Sequence, residues 1–289
     1  MKYLRLFRKT FQEFSEDKAT RLAAALAYYT IFSVAPLLVI AIAIAGLFFG
    51  EAQAQHAIVS QLKNFMGDSG VAAIQQMLQN QHEHGGSSIA LIAGFVILLF
   101  GATGVFVQLK DALNTAWNVP EGKTAGGIKG FIKTRLLAFG MVLGIGFLLL
   151  VSLAIDAAIS SLGAVAFADL PGGAGIWQGM QLIVSFVVIA LLFAAMFRLL
   201  PDTHVEWRDV WFGAFFTSLL FIIGKYLLGL YLGRGSVGSS FGAAGSLVVL
   251  LVWIYWSAAI FLFGAEFTQV YARAHGSRVG EEQQLKSAA

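Results

Sequence analysis

Six uninterrupted apolar runs dominate this chain: Leu22–Gly50, Ile89–Leu109, Leu136–Leu162, Ile176–Leu199, Val210–Leu232 and Ser246–Tyr271. Each is 21 residues or longer. At 1.5 Å per residue, about 20 residues in a helix cross a ~30 Å hydrocarbon layer. A segment in lipid must satisfy its own backbone hydrogen bonds, which leaves only helices and closed β-barrels. Barrel strands alternate polar and apolar residues, and these runs do not. The expected fold is an all-α integral membrane protein with six transmembrane helices.

Composition points the same way. Apolar residues make up 58% of the 289-residue chain and charged residues 12%, against about 25% charged in soluble domains. A soluble core of this size could not hide so much apolar surface, and a disordered chain needs the opposite composition. The chain has no cysteine, which excludes disulfide frameworks, thiolate metal sites, iron–sulfur clusters and cysteine nucleophiles.

The basic residues set the orientation. Of the 19, 16 fall before the first run, in the second and fourth loops, or in the tail. They include Lys2, Arg5, Arg8, Lys9, Lys18 and Arg21 at the start, and Lys110, Lys123, Lys129, Lys133 and Arg135 in the second loop. Only Lys63 and Arg234 fall in loops on the other side, and Lys225 lies inside the fifth run. The positive-inside rule then places both termini in the cytoplasm, as an even number of spans requires. It also accounts for the net charge of +3 and pI near 9.1 without a nucleic-acid partner. Ala52-Gln53-Ala54 imitates a cleavage site, but the run from Leu22 is far longer than a signal-peptide core. Retention as the first span is expected.

The domain reading is a single six-helix transmembrane domain over 1–272, with an external loop 51–88, followed by a polar cytoplasmic tail 273–289. At the N-terminus, Leu4, Phe7, Phe11 and Phe14 share a helical face ringed by Lys2, Arg5, Arg8 and Lys9. This is the pattern of an amphipathic helix on the inner leaflet, serving as a topological anchor or as a binder of anionic headgroups. In the external loop, Ile58, Leu62 and Phe65 form one apolar stripe, and Val71, Ile74 and Leu78 another. Two short amphipathic helices on the outer face or capping the bundle are expected. A three-plus-three inverted arrangement is open on topology alone, since the halves show no internal sequence match.

Ionisable groups within spans are costly, by about 2.5–3.5 kcal/mol on insertion scales, and mark function. Asp156 in the third run and Lys225 in the fifth both fall in the outer half of the membrane. They are candidates for a buried ion pair or for the lining of an outward-facing cavity. Lys225 has the alternative of snorkelling to the headgroups. Glu266 lies near the inner end of the sixth run, after the small residues Gly264 and Ala265. Its expected role is a structural bond to Arg21 or another donor on that side, or a gate or substrate contact. Pro36, preceded by Thr30 and Ser33, is expected to kink the first span. Gly-x-x-x-Gly pairs occur at Gly46–Gly50, Gly140–Gly144 and Gly229–Gly233 as candidate helix contacts. His82-Glu83-His84 lacks metal-site spacing. No metal, cofactor or catalytic residue is expected, and no nucleotide-binding or hydrolase motif is present.

Several segments, taken in order, resemble the YihY/BrkB family of bacterial inner-membrane proteins. They are Arg21-Leu22-Ala23-Ala24-Ala25-Leu26-Ala27-Tyr28-Tyr29 with Ser33 and Pro36-Leu37-Leu38, then Trp117-Asn118-Val119-Pro120, then Leu200-Pro201-Asp202 with Trp207 and Gly213-Ala214. Last come Gly242-Ala243-Ala244-Gly245-Ser246 and Trp253-Ile254-Tyr255-Trp256, leading to Gly264-Ala265-Glu266. The resemblance implies a six-span bundle in the bacterial inner membrane, associated with envelope integrity. Transport of lipid or another amphiphile has been proposed for the family. Some members have carried the label ribonuclease BN, but a hydrolytic nuclease needs clustered carboxylates or histidines, and none are patterned here. The expected function is transport or exchange of a lipid or similar solute, not catalysis. The alternatives are a scaffold that binds an envelope protein through loop 51–88 and, third, a membrane-tethered enzyme. Membrane lipids are the expected partners.

Overall fold

The computed structural model of the chain describes residues 2–60, 62, 71–72, 74–75, 104–120, 173–234 and 245–279. Five helices organise these residues: α1 (Lys2–Glu16), α2 (Ala19–Phe49), α3 (Gly173–Leu199), α4 (Trp207–Arg234) and α5 (Gly245–His275). Two further stretches, 51–60 and 104–116, are helical, and no strand occurs among the described residues. Three segments are long and apolar enough to cross a membrane: Leu182–Leu199, Trp207–Leu232 and Leu247–His275. They coincide with the fourth, fifth and sixth apolar runs. The third run and most of the second lie outside the described residues.

The helices overrun the hydropathic boundaries. α5 begins one residue before its run and continues four residues past Tyr271, and the stretch 104–116 continues past Leu109 through Ala116. Hydropathy reports the part of a helix that lipid would cover. Backbone bonding continues until a cap stops it, so the polar ends of these helices are invisible to an apolar-run search. α2 is assigned as helix from Ala19 through Phe49, with Pro36 inside it.

α5 is the hub of the described bundle, touching α1, α2 and α4, while α4 also touches α3. The main core joins Ala19, Ala23 and Leu26 of α2 with Leu113 and Trp117, with Phe193 and Phe197 of α3, and with Phe261, Leu262 and Ala265 of α5. A second core joins Ile31, Leu38 and Ile42 of α2 with Leu250 and Ile254 of α5. Ile58, Leu62, Val71 and Ile74 of the loop after α2 pack into it. The two apolar stripes of loop 51–88 therefore fold onto the bundle as far as they are described.

The α4–α5 crossing is antiparallel and very close. A Cβ at Gly213 would overlap the Thr268 side chain, and one at Gly264 would overlap Thr217. Each threonine hydroxyl donates to the carbonyl of the glycine four residues earlier on its own helix: Thr217 Oγ1 to Gly213 O at 2.7 Å, Thr268 Oγ1 to Gly264 O at 2.6 Å. Small residues thus bring the backbones together while leaving no hydroxyl unbonded in an apolar seam. Phe216 stacks on Phe267 at 3.9 Å and Phe212 on Tyr271 at 4.4 Å along the same seam.

α1 docks on the bundle rather than standing apart from it. Leu6 is buried with Phe267 and Val270. Phe7 sits edge-on to Phe216 at 5.5 Å, and Phe11 and Phe14 lie 4.9 and 5.6 Å from Phe263. Leu4 and Phe11 remain exposed, at 80% and 63%. Lys18, in the left-handed region at φ 52°, turns the chain from α1 into α2.

Candidate functional site

The start of α2, the end of stretch 104–116, the end of α3, the start of α4 and the end of α5 gather at one end of the bundle, called here the charged end. The site begins with how 104–116 stops. Asn118 adopts φ 51°. Its N–H donates to Thr115 O at 2.8 Å, and the Val119 N–H donates to Asn114 O at 2.9 Å. This is a Schellman cap, followed by Pro120, which cannot continue a helix. The cap aims Trp117 inward, where it is 1% exposed.

Two residues on the last turns of that stretch meet Asp202 in the α3–α4 connection. Lys110 Nζ lies 2.8 Å from Asp202 Oδ2. Asn114 Nδ2 donates to the same oxygen at 3.0 Å, and the Asp202 N–H donates to Asn114 Oδ1 at 2.8 Å. Ammonium and amide thus both bond the carboxylate at Oδ2, while the Asp202 backbone N–H fixes the Asn114 amide that donates to it. The segment after α5 closes the ring. Arg278 donates to Thr203 Oγ1 at 2.5 Å and to His204 O at 3.1 Å, and its guanidinium lies 5.2 Å from the Trp117 ring centre. Asp209, fully buried in the first turn of α4, accepts from the Ser277 N–H at 3.0 Å and from Ser277 Oγ at 2.6 Å. Gly276 lies so close to Asp209 that a Cβ there would overlap the carboxylate.

A second polar group lies beside this ring, on the face of α5 that meets the α1–α2 turn. Glu266, Gln269 and Arg273 recur at helical spacing, with Glu266 1% and Gln269 0% exposed. Glu266 Oε2, both amide atoms of Gln269, Arg273 Nε and Asp17 Oδ2 are buried without a hydrogen-bond partner. The Glu266 and Asp17 carboxyl groups are hydrogen-bonded to each other. Burial, foremost, holds the Asp17 carboxyl above its ordinary range. The bond to Glu266 and the charge of Arg273 pull it back, while Glu13 and Glu16 push it up. On the solvent side of Arg273, a groove of about 480 Å³ is lined by Arg5, Arg8, Lys9, Gln12, Glu13 and Arg273.

A family model described as Virulence factor BrkB matches residues 10–289. The chain belongs to the BrkB family. A UPF0761 membrane protein of Albidiferax ferrireducens is 30% identical over 257 residues, covering 88% of this chain and 59% of that protein. A second, from Legionella pneumophila, is 25% identical over 280 residues, covering 96% of this chain and 64% of its own length. A third, from Pseudomonas aeruginosa, is 30% identical over 261 residues, covering 87% and 59%. The chain thus spans about three-fifths of the length of the curated relatives it matches. No solved structure matches.

Three of the segments that carry the BrkB resemblance, around Trp117, Asp202 and Gly264, meet at or near the charged end. Trp117 and Asn118 form the inward anchor and the cap, Asp202 is the acceptor of the ring, and Gly213 and Gly264 make the close crossing. Of the residues singled out in the sequence, Glu266 is in the buried stripe. Arg21 is exposed, and the charges that act on Glu266 are Asp17, Glu13 and Arg273 instead. Arg5, Arg8 and Lys9 line the groove; the side chains of Lys2 and Pro36 are not described. Lys225 is half-buried on α4, with its ammonium 5.4 Å from the Tyr226 ring centre. Asp156 and His82-Glu83-His84 lie outside the described residues, so no Asp156–Lys225 contact is described.

Asn114, Asp17 and Gln269 were not singled out from the sequence, and Lys110 and Arg273 were read only as orientation-setting charges. For Gln269 and Arg273 a signal existed, since Glu266, Gln269 and Arg273 share one helical face. The helix contact at α4–α5 was also written plainly, as Gly213-x-x-x-Thr217 and Gly264-x-x-x-Thr268. Of the Gly-x-x-x-Gly candidates, Gly229 has open space where a Cβ would stand. The described close crossing thus pairs glycine with threonine.

Proposed function

We propose that this chain is a multi-pass protein of the bacterial inner membrane that transports or exchanges a lipid or another amphiphilic solute, in support of envelope integrity. In this reading it has six spans, a first span kinked at Pro36 and both termini in the cytoplasm, so that the charged end faces inward. It is not an enzyme, and its partners are membrane lipids. The observation that carries the reading is the stripe Glu266–Gln269–Arg273. Glu266 and Gln269 are buried and Arg273 part-buried on an apolar helix, and each keeps an enclosed polar atom without a hydrogen-bond partner. Fully structural polar groups are normally satisfied, and intramembrane polar groups without partners mark pathways for polar cargo. An amphiphile's polar part moving along this face would supply the missing partners.

The test is lipid movement by the purified protein in vesicles. A headgroup-labelled phospholipid sits in both leaflets, and a membrane-impermeant reductant bleaches only the outer one. The proposal expects bleaching to pass the outer-leaflet fraction, or label to reach acceptor vesicles, and Gln269→Leu to slow this. No movement above protein-free vesicles in either format contradicts it. A second reading is a rigid scaffold that binds an envelope protein through loop 51–88. The locked α4–α5 crossing and the Asp202 ring favour it. It predicts no lipid movement and a stable complex instead.

A further inference from the structure

We infer that the groove between α1 and the end of α5 is a binding site for a phosphate oxyanion, with the phosphodiester of an anionic membrane lipid as the favoured source. The inference rests on the membrane placement proposed above and not on transport. A headgroup held there without being moved satisfies it.

Three observations carry it. First, the charge is convergent. Arg5, Arg8 and Lys9 of α1 meet Arg273 of α5 around one concavity of about 480 Å³, in which Glu13 is the only carboxylate. Four cations against one carboxylate leave the concavity positively charged, and guanidinium groups match phosphate oxygens in geometry as well as charge. Gln12 adds an amide donor to the same wall, although in the structure its Nε2 donates to Glu16 at 2.9 Å.

Second, the groove has a fixed side. Arg273 is part-buried on α5, and its Nε is enclosed without an acceptor. Its charge also acts on the Asp17 carboxyl at the α1–α2 turn. α1 is in turn pinned to α5 through Leu6, Phe7, Phe11 and Phe14. The basic side chains on α1 therefore face a charge of fixed position, as a specific site requires. A helix lying loosely on a membrane surface lacks that.

Third, apolar and aromatic side chains place the groove at headgroup depth. Leu4 and Phe11 on α1 are 80% and 63% exposed. At the same end of the bundle, Trp207 and Trp211 of α4 are 50% and 40% exposed, and Tyr271 stacks on Phe212. Tryptophan and tyrosine concentrate at the membrane–water boundary, and exposed apolar residues on an amphipathic helix enter the acyl region beneath it. The basic groove lies beside them, at the level of lipid phosphates.

The test uses the full chain in nanodiscs of phosphatidylcholine doped with phosphatidylglycerol, released into the gas phase for native mass spectrometry. Wild type is expected to retain one phosphatidylglycerol in preference to phosphatidylcholine. Arg8→Gln and Arg273→Gln are each expected to cut that retention about tenfold, the scale of one lost charge-assisted hydrogen bond. Arg208→Gln, exposed and outside the groove, is expected to leave it unchanged. Should Arg273→Gln fail to fold, Arg8→Gln on the exposed side of α1 decides alone. A parallel arm adds millimolar inorganic phosphate. Retained lipid identifies the lipid phosphodiester as the ligand. Displacement that Arg8→Gln abolishes identifies a soluble phosphate bound by the same groups. Equal retention of the two lipids, or retention that neither groove variant changes, overturns the site. Loss of lipid movement in vesicles with phosphatidylglycerol retention intact defeats the transport reading and leaves this one standing.

Discussion

Gly213 of α4 lies directly against Thr268 of α5, close enough that a Cβ at 213 would overlap the threonine side chain. Gly264 repeats the relationship with Thr217 in the opposite sense, so each helix supplies one notch and one knob. Replacing either glycine with leucine should push the helices apart and cost about 1–3 kcal/mol, the usual penalty of overpacking. The Gly213→Leu and Gly264→Leu proteins should melt below wild type in detergent. Because Thr217 and Thr268 are the side chains struck, Gly213→Ala should be partly rescued by Thr268→Ala. Melting temperatures that add independently in the double variant would contradict the contact.

Asp202 holds the α3–α4 connection to the helix that ends at Ala116. Asp202→Ala would take from Lys110, 7% exposed, its ion-pair partner and leave only the nearby charge of Asp111; a buried charge stripped of its partner costs about 3–5 kcal/mol. Partial solvent access at this edge lowers that to about 2 kcal/mol. Lys110→Met should be milder, since it removes the charge together with its need for a partner. Comparative thermal melts of the two variants check this order; Lys110→Met the more damaging of the two would count against it.

Much of the fold was legible because lipid imposes a strong requirement on sequence. The fourth, fifth and sixth apolar runs reappear as α3, α4 and α5 because every residue in hydrocarbon must be apolar or partnered. The charged end was less legible. Lys110 and Asp202 are 92 positions apart, and no periodicity links them, since only packing brings them together. Glu266 stood out as a lone carboxylate, but its neighbour Asp17 sits in a turn that reads as ordinary polar linker. Arg21 is close to Asp17 in sequence, yet it faces outward because Ala19, Ala23 and Leu26 take the inward face of α2. The Gly-x-x-x-Thr crossing was missed for a simpler reason. Threonine serves as the small partner only when its hydroxyl is bonded to its own helix, as it is at 217 and 268.

Asp17 gives the chain a pH dependence of known sign. Its carboxyl lies above the ordinary 3.8, chiefly through burial, so the folded chain holds this proton more tightly than the unfolded chain. The stability this proton contributes is complete below the unfolded value and is lost as pH rises through the folded one. Asp17→Asn should flatten that fall and be at least as stable as wild type at neutral pH. Melting curves between about pH 4 and 8 check it: wild type should lose more stability across that range than the variant. Parallel curves would mean that Asp17 titrates as an exposed carboxylate.

The cap at Asn118 predicts a conformational ranking. With φ at 51°, glycine should be tolerated there with little change. Valine, whose branched Cβ clashes in the left-handed region, should cost about 1–2 kcal/mol. A further loss is expected in Asn118→Val because the cap sets the position of Trp117, on which Arg278 rests. Intrinsic fluorescence during thermal unfolding reports both effects, and equal melting of the glycine and valine proteins would contradict the cap.

The charged end must face the cytoplasm for the groove, the stripe and the proposed cargo path to work together, and the absence of native cysteine makes this simple to measure. Ser15 on α1 and Gln53 just beyond α2 are both exposed and lie on opposite sides of that 31-residue helix. Single variants Ser15→Cys and Gln53→Cys are treated with a membrane-impermeant maleimide on intact spheroplasts, before and after permeabilisation. The predicted result is labelling of Gln53→Cys from outside and of Ser15→Cys only once the membrane is opened. Labelling of both from the same side, or the reverse pattern, would contradict it.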